Sequence, residues 1–187
     1  PWEGKVSYQI SPKTEEEFTV AIHIPSYVNI EDNSTYAMLN GEKIELATQI
    51  TKGYLYLTRC WKEGDRIEIG FDMPVRKVFA SQRVRADVGC VALMRGPVVY
   101  CFEGVDNGED IQALRIPREL QAEAYVCEEG VLKGTVCLKI NGYRMQSSEE
   151  LYSEKRPEKL DAELVAIPYY AWANRGENQM RVWLPEE

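Results

Sequence analysis

A single histidine, five cysteines and thirty carboxylates are the side chains with which this chain could do acid–base, nucleophilic or metal chemistry. His23 lies on the odd positions of residues 18–24, whose even positions are apolar. Its neighbours Thr19 and Ala21 supply nothing to orient a general base, so a surface role is expected. One histidine also cannot build a histidine-cluster metal site. A pair of carboxylates could hydrolyse a glycoside. The acidic runs Glu15-Glu16-Glu17, Glu128-Glu129 and Glu149-Glu150, however, look like solvated loops or strand ends, and no pair stands out. Asp106-Asn107-Gly108-Glu109-Asp110 has a calcium-like composition without the register of an EF-hand loop, and reads as a polar turn. Asn33-Ser34-Thr35 matches the glycosylation sequon, which carries no weight without a secretory signal.

The cysteines, Cys60, Cys90, Cys101, Cys127 and Cys137, are odd in number and form no C-x-x-C pair, which excludes a zinc ribbon or a thioredoxin-type motif. Cys101, Cys127 and Cys137 sit among apolar residues, as buried free thiols do, so a reducing, cytoplasmic setting is expected. The aromatics say more. Tyr54 and Tyr56 share one strand face, and Tyr169-Tyr170-Ala171-Trp172 is a dense cluster in a chain with four Trp and eleven Tyr. Such rings hold sugars on many β-sandwich modules. They equally fill cores and seams, the role expected for Trp61, Trp172 and Trp183, and packing is the reading favoured here.

The elements that must position these residues are strands. Residues 6–10, 18–24 and 67–73 alternate apolar and polar side chains, the signature of a half-buried strand. Residues 36–39 run into Asn40-Gly41, a strong hairpin signal, and Ile44 and Leu46 resume the pattern beyond it. Further strands are read at residues 53–57, 75–79, 111–116, 124–127, 135–140, 163–170 and 180–184. The central stretch differs: Val91-Ala92-Leu93-Met94 and Val98-Val99-Tyr100-Cys101-Phe102 flank Arg95-Gly96-Pro97 and have no wet face. They read as strands buried on both sides and bent at Gly96-Pro97. Residues 117–121 have the only helical claim, with Pro at the first position, and residues 147–161 read as a long charged surface loop.

Turn signals every 8 to 12 residues or so are the spacing of antiparallel sandwiches, and no crossover helix for a parallel sheet is visible. The fold expected is all-β, two consecutive jelly-roll-like sandwiches spanning residues 1–103 and 104–187, joined at the polar link after Glu103. At 187 residues the chain can bury roughly 70% of its unfolded surface without metal or disulfide. Its net charge of −8, with scattered Lys and Arg, argues against a nucleic-acid partner. No apolar run approaches the length of about eighteen residues that crosses a membrane. Because the chain opens on Pro1 almost within a strand pattern, it is read as a piece of something longer.

Four ordered stretches carry a family resemblance. They are Pro1-Trp2-Glu3-Gly4-Lys5-Val6; Trp61-Lys62-Glu63-Gly64-Asp65 followed by Met73-Pro74-Val75-Arg76; Val91-Ala92-Leu93-Met94-Arg95-Gly96-Pro97-Val98-Val99-Tyr100-Cys101; and Ile167-Pro168-Tyr169-Tyr170-Ala171-Trp172-Ala173-Asn174-Arg175-Gly176 with Met180-Arg181-Val182-Trp183. Together they resemble the C-terminal region of glycoside hydrolase family 127, the bacterial β-L-arabinofuranosidases and their relatives. The resemblance implies that a helical (α/α)6 barrel upstream of Pro1 carries the chemistry, with a zinc-bound cysteine thiolate as nucleophile and a glutamate as acid/base. None of the five cysteines here and no glutamate matches a catalytic position. These residues are thus expected to hold no catalytic group, cofactor or metal. Their expected partner is the barrel of their own longer chain, with carbohydrate and an oligomeric contact left open. Tyr54, Tyr56, Tyr169, Tyr170 and Trp172 are the candidates for barrel packing or sugar stacking.

Overall fold

The computed structural model describes residues 2–31, 34–146 and 150–187, so Pro1 of the opening motif, Asn33 of the sequon and Glu149 lie outside the described residues. The chain divides into two compact units, residues 1–74 and 75–187.

The first unit holds β1 (Lys5–Gln9), β2 (Glu16–His23), β3 (Tyr36–Leu39), β4 (Glu42–Ile44), a single helical turn α1 (Leu46–Gln49), β5 (Ile50–Thr51), β6 (Tyr54–Trp61) and β7 (Arg66–Gly70). They form a four-stranded sheet in the order β1-β7-β3-β4 and a three-stranded sheet in the order β2-β6-β5. The alternation explains the layering: Ile22, Leu55, Leu57 and Trp61 from one sheet meet Ala37, Ile44, Ile67 and Ile69 from the other in one core. Asn40 and Gly41 both take positive φ, 51° and 86°, as a two-residue hairpin turn between β3 and β4 requires. Leu46 was expected to resume a strand. It lies instead in α1, where its side chain reaches the same core.

The second unit holds β8 (Val75–Phe79), β9 (Cys90–Arg95), β10 (Val98–Glu103), a helical turn α2 (Gly104–Asn107), β11 (Leu114–Arg115), β12 (Ala122–Val126), β13 (Val136–Gln146), β14 (Glu158–Pro168), β15 (Met180–Arg181) and β16 (Leu184–Pro185). The path β11-β13-β14-β10-β9-β16 carries β12 on β13, β15 on β10 and β8 on β9, all antiparallel. Val91 and Leu93 of β9, Tyr100 and Phe102 of β10, Leu138 and Ile140 of β13 and Leu164 of β14 share one core. Cys101 points the other way, into a second cluster with Leu132, Cys137, Ile167 and Ala171. β10 is therefore buried on both faces, which is why it has no polar alternation.

The all-β class holds, with four corrections. The joint expected at residue 104 falls inside the second unit: β10 pairs with β9 on one side and β14 on the other, and the Gly104 amide donates to the Gln179 carbonyl at 2.8 Å. The polar segment after Glu103 is an internal corner, not a linker. Residues 117–121 form no helix. Residues 158–161, read as loop, open β14 and pair with residues 143–146 of β13, exposed on both faces of the strand. Finally, Cys127 and Cys137 are joined as a disulfide and are not free thiols. Tyr125 of β12 stands opposite Cys137, so Cys127 is its diagonal neighbour, with the Cα atoms 6.5 Å apart, within the range a disulfide spans.

Candidate functional site

Two surfaces collect the aromatic candidates, one on each unit. On the first, strand parity decides what faces out. Even positions of β2 and odd positions of β6 enter the core, so His23 and Tyr54 stand opposite each other on the outer face, as do Ala21 and Tyr56, and Thr19 and Thr58. His23 packs edge-on against Tyr54 with ring centres 5.2 Å apart, the Tyr54 and Tyr56 rings are 6.1 Å apart, and the Thr19 and Thr58 hydroxyls share a 2.7 Å hydrogen bond. Tyr54 and Tyr56 are 39% and 44% exposed, while Trp61, on the inner face at the other end of β6, is fully buried and donates its Nε1–H to the Phe18 carbonyl at 2.9 Å. This face offers flat rings and a neutral hydroxyl pair. It has no arrangement of groups for acid–base work.

On the second unit, Pro168 ends β14 and the chain turns through a 3-10 turn at Tyr169–Ala171. Tyr169, Tyr170 and Trp172 are 43%, 63% and 41% exposed, and the rings of Tyr169 and Trp172 stack with centres 6.4 Å apart. Trp172 was expected to fill a core or seam and joins none of the apolar cores. Trp61 joins one, and Trp183 is half-buried.

Beneath this turn lies a group that sequence reasoning missed. The Glu103 side chain, at the end of β10, has no solvent exposure. Its Oε1 accepts from the Ala173 amide at 2.9 Å and from Asn178 Nδ2 at 3.4 Å, and its Oε2 accepts from Arg175 Nη2 at 2.6 Å and Nε at 3.2 Å. Arg175 Nη1 also donates to Asp106 Oδ1 at 2.7 Å, and Nη2 to Asp106 Oδ2. Burial would raise the Glu103 carboxyl, but the Ala173 amide, Arg175 and Asn178 together outweigh it and hold the group below its ordinary value. Hydrogen bonds from Arg175 to Asp106, and then to Glu103, raise the guanidinium against the opposing effect of its burial. The one available signal was Glu103 itself, a carboxylate closing an otherwise apolar run.

Other candidates resolve as structure. Asp106 is held by Arg175, and Asn107 bridges the Glu103 and Val165 carbonyls through Nδ2 and accepts from the Val165 amide. Arg144 donates to the Asn107, Glu109 and Asp110 carbonyls, so this acidic segment is tied to an internal cation. Asp65 is buried; it accepts from Asn40 Nδ2 at 2.8 Å and the Lys62 amide at 3.0 Å, which lower its pKa. Glu15, Glu16, Glu17, Glu128, Glu129 and Glu150 are exposed. Among the described residues no group of three or more His, Cys, Asp or Glu is placed to hold a metal ion, and no helix is long and apolar enough to cross a membrane. Of the remaining thiols, Cys60 is exposed, Cys90 and Cys101 are buried, and burial pushes the Cys101 thiol up to about 12.

Comparison with known proteins places this architecture. Residues 1–73 match the family model described as "Beta-L-arabinofuranosidase, GH127 middle domain", and residues 75–185 match "Glycoside hydrolase family 127 C-terminal domain". The non-reducing end β-L-arabinofuranosidase of Bifidobacterium longum subsp. longum is 33% identical over 98% of this chain, which spans 29% of that protein. The crystal structure of a family 127 β-L-arabinofuranosidase from Geobacillus stearothermophilus T6 superposes over the whole chain with a TM-score of 0.92 at 39% identity, again covering 29% of the relative. A family 127 β-arabinofuranosidase structure superposes with a TM-score of 0.85 at 32% identity over 30% of its length. The chain thus spans under a third of these relatives, and it belongs to glycoside hydrolase family 127, whose middle and C-terminal domains its two units are.

Proposed function

We propose that these two units are the non-catalytic accessory part of a bacterial glycoside hydrolase acting on L-arabinofuranosides or related sugars, and that they pack against a catalytic portion lying N-terminal to them. The observation that carries this reading is that the whole chain aligns with 29–30% of its relatives, while its own buried ionic groups are consumed by internal bonds. Catalysis needs a polar group left free to meet substrate; Glu103, Asp106, Arg175 and Asp65 each hold the fold together instead. The zinc and the cysteine nucleophile of the resemblance belong, on this reading, to the catalytic portion; among the described residues no group of metal ligands gathers around a thiol.

The test is turnover of an aryl β-L-arabinofuranoside. The 187-residue chain, with and without added zinc, is expected to release no phenol, and the longest chain encoded by the reading frame around these residues is expected to release it. Release by the short chain would overturn the proposal.

A second reading, an independent carbohydrate-binding module, draws on the outer face of β2 and β6, where Tyr54 and Tyr56 lie exposed beside His23. Calorimetric titration of the short chain with arabinose-containing oligosaccharides separates the two. Heat at millimolar sugar that disappears in Tyr54→Ala and Tyr56→Ala would favour the module.

A further inference from the structure

We propose that the turn carrying Tyr169, Tyr170 and Trp172 is the knob by which the second unit docks onto the catalytic portion, and that Glu103, with Arg175 and Asp106, positions it. This rests on the accessory reading above and names the surface that serves it.

Large aromatic side chains left exposed within four residues are the usual makings of an interface anchor, because each ring can remove a large apolar area from water. Anchors bind best when their conformation is settled before contact. Here the turn is tied at several points along its length. Pro168 pairs with Tyr100 of β10, Ala171 is buried in the cluster of Cys101 and Ile167, and the Trp172 amide donates to the Tyr169 carbonyl at 3.3 Å. Asn174 Nδ2 donates to the Ala171 carbonyl at 3.0 Å, the Ala173 amide meets Glu103, and Arg175 meets both Glu103 and Asp106.

The second observation is backbone strain at the same place. Ala173 has φ of 62°, a left-handed conformation that a residue with a Cβ adopts only when its surroundings hold it there. The group holding it is the carboxylate of Glu103, through the Ala173 amide. A buried ionic lock that keeps a strained residue next to three exposed rings is an investment in the shape of the turn. Glu103, Asp106 and Arg175 are not members of the unit's apolar core, which β9, β10, β13 and β14 form.

The occupant is chosen by what is present beside this region in its relatives. These residues make up 29–30% of the homologous chains, so the larger part of each lies outside them. Rings carried 41–63% exposed on a turn offer apolar area to another protein surface, whereas small-ligand sites are concave.

The experiment compares hydroxyl-radical labelling of Tyr170 and Trp172 in the 187-residue chain and in the longest chain of the reading frame. Labelling is expected to be slower in the long chain by about tenfold or more, as for side chains at the dry centre of an interface. In the long chain, Tyr170→Ser with Trp172→Ser is expected to leave the second unit folded by circular dichroism and to restore rapid proteolysis between it and the catalytic portion. Glu103→Gln, made in the short chain, is expected to speed amide exchange at Ala173 while the β spectrum is retained, which a purely core role would not do. Equal labelling of both chains, in a long chain that turns over substrate, overturns the docking proposal alone. A reading frame with no catalytic portion upstream overturns it together with the accessory reading. Protection of the short chain by arabino-oligosaccharide reassigns the turn to sugar and likewise overturns docking.

Discussion

At the scale of single residues, Glu103 has the clearest energetic consequence. Its carboxyl is held below its ordinary value, so folding favours the charged form. Its contribution is complete above the unfolded-state value, near pH 4.3, and is lost as pH falls through the lower folded value. Thermal melts of the short chain are therefore expected to lose stability on acidification below about pH 4, and in Glu103→Gln this component of the acid sensitivity should vanish. Removing one member of a buried ion pair costs about 3–5 kcal/mol. The amide variant keeps the shape and leaves Arg175 with Asp106, so the low end is expected; a melt unchanged from the parent would refute the network's role. Tyr100 offers a quieter check. Its hydroxyl donates to the Val136 carbonyl at 3.0 Å, and burial pushes its pKa up to about 12. Tyr100→Phe strands that carbonyl and should destabilise by about 1–3 kcal/mol in denaturant unfolding.

At the scale of elements, the disulfide closes the turn between β12 and β13, joining residues ten apart in sequence. Cross-linking a loop of that length stabilises by roughly 2–3 kcal/mol, chiefly by restricting the unfolded chain. Peptide mapping without reductant should recover Cys127 linked to Cys137, and reduction should lower the denaturation midpoint of the second unit; an unlinked pair with an unmoved midpoint would contradict this. The pairing shows where sequence legibility ended. Alternation within one strand is local, so β2, β6 and β7 could be read, and with them the shared face of Tyr54 and Tyr56. What depends on a partner strand could not. Cys127 and Cys137 become neighbours only through the register of β12 on β13. The charged start of β14 is a strand only because β13 lies beside it. The same reason hid the candidate site: Glu103 and Arg175 lie 72 positions apart, and a turn rich in Tyr and Trp looks alike whether it fills a core or stands in solvent.

At the scale of the whole molecule, the place where the chain divides decides what can fold alone. Each unit has its own apolar cluster, one drawn from β2 to β7 and the other from β9 to β16. A cut after Pro74 follows the last residue of the first unit and leaves β8, β9 and β10 with the partners they pair with. A cut after Glu103, at the polar segment that looked like a linker, would instead remove Val91, Leu93, Tyr100 and Phe102 from the second core. It would also take β10 from the side of β14 and leave Arg175 facing Asp106 without its buried carboxylate. Four large side chains lost together exceed what a domain of this size can spare, given a net stability of about 5–15 kcal/mol and about 2–5 kcal/mol for each large truncation. Residues 75–187 expressed alone are therefore expected to show a cooperative melt and a β-type spectrum, and residues 104–187 to show neither. If the shorter fragment melts cooperatively, the central hairpin of β9 and β10 is not the core element that its two-faced burial implies.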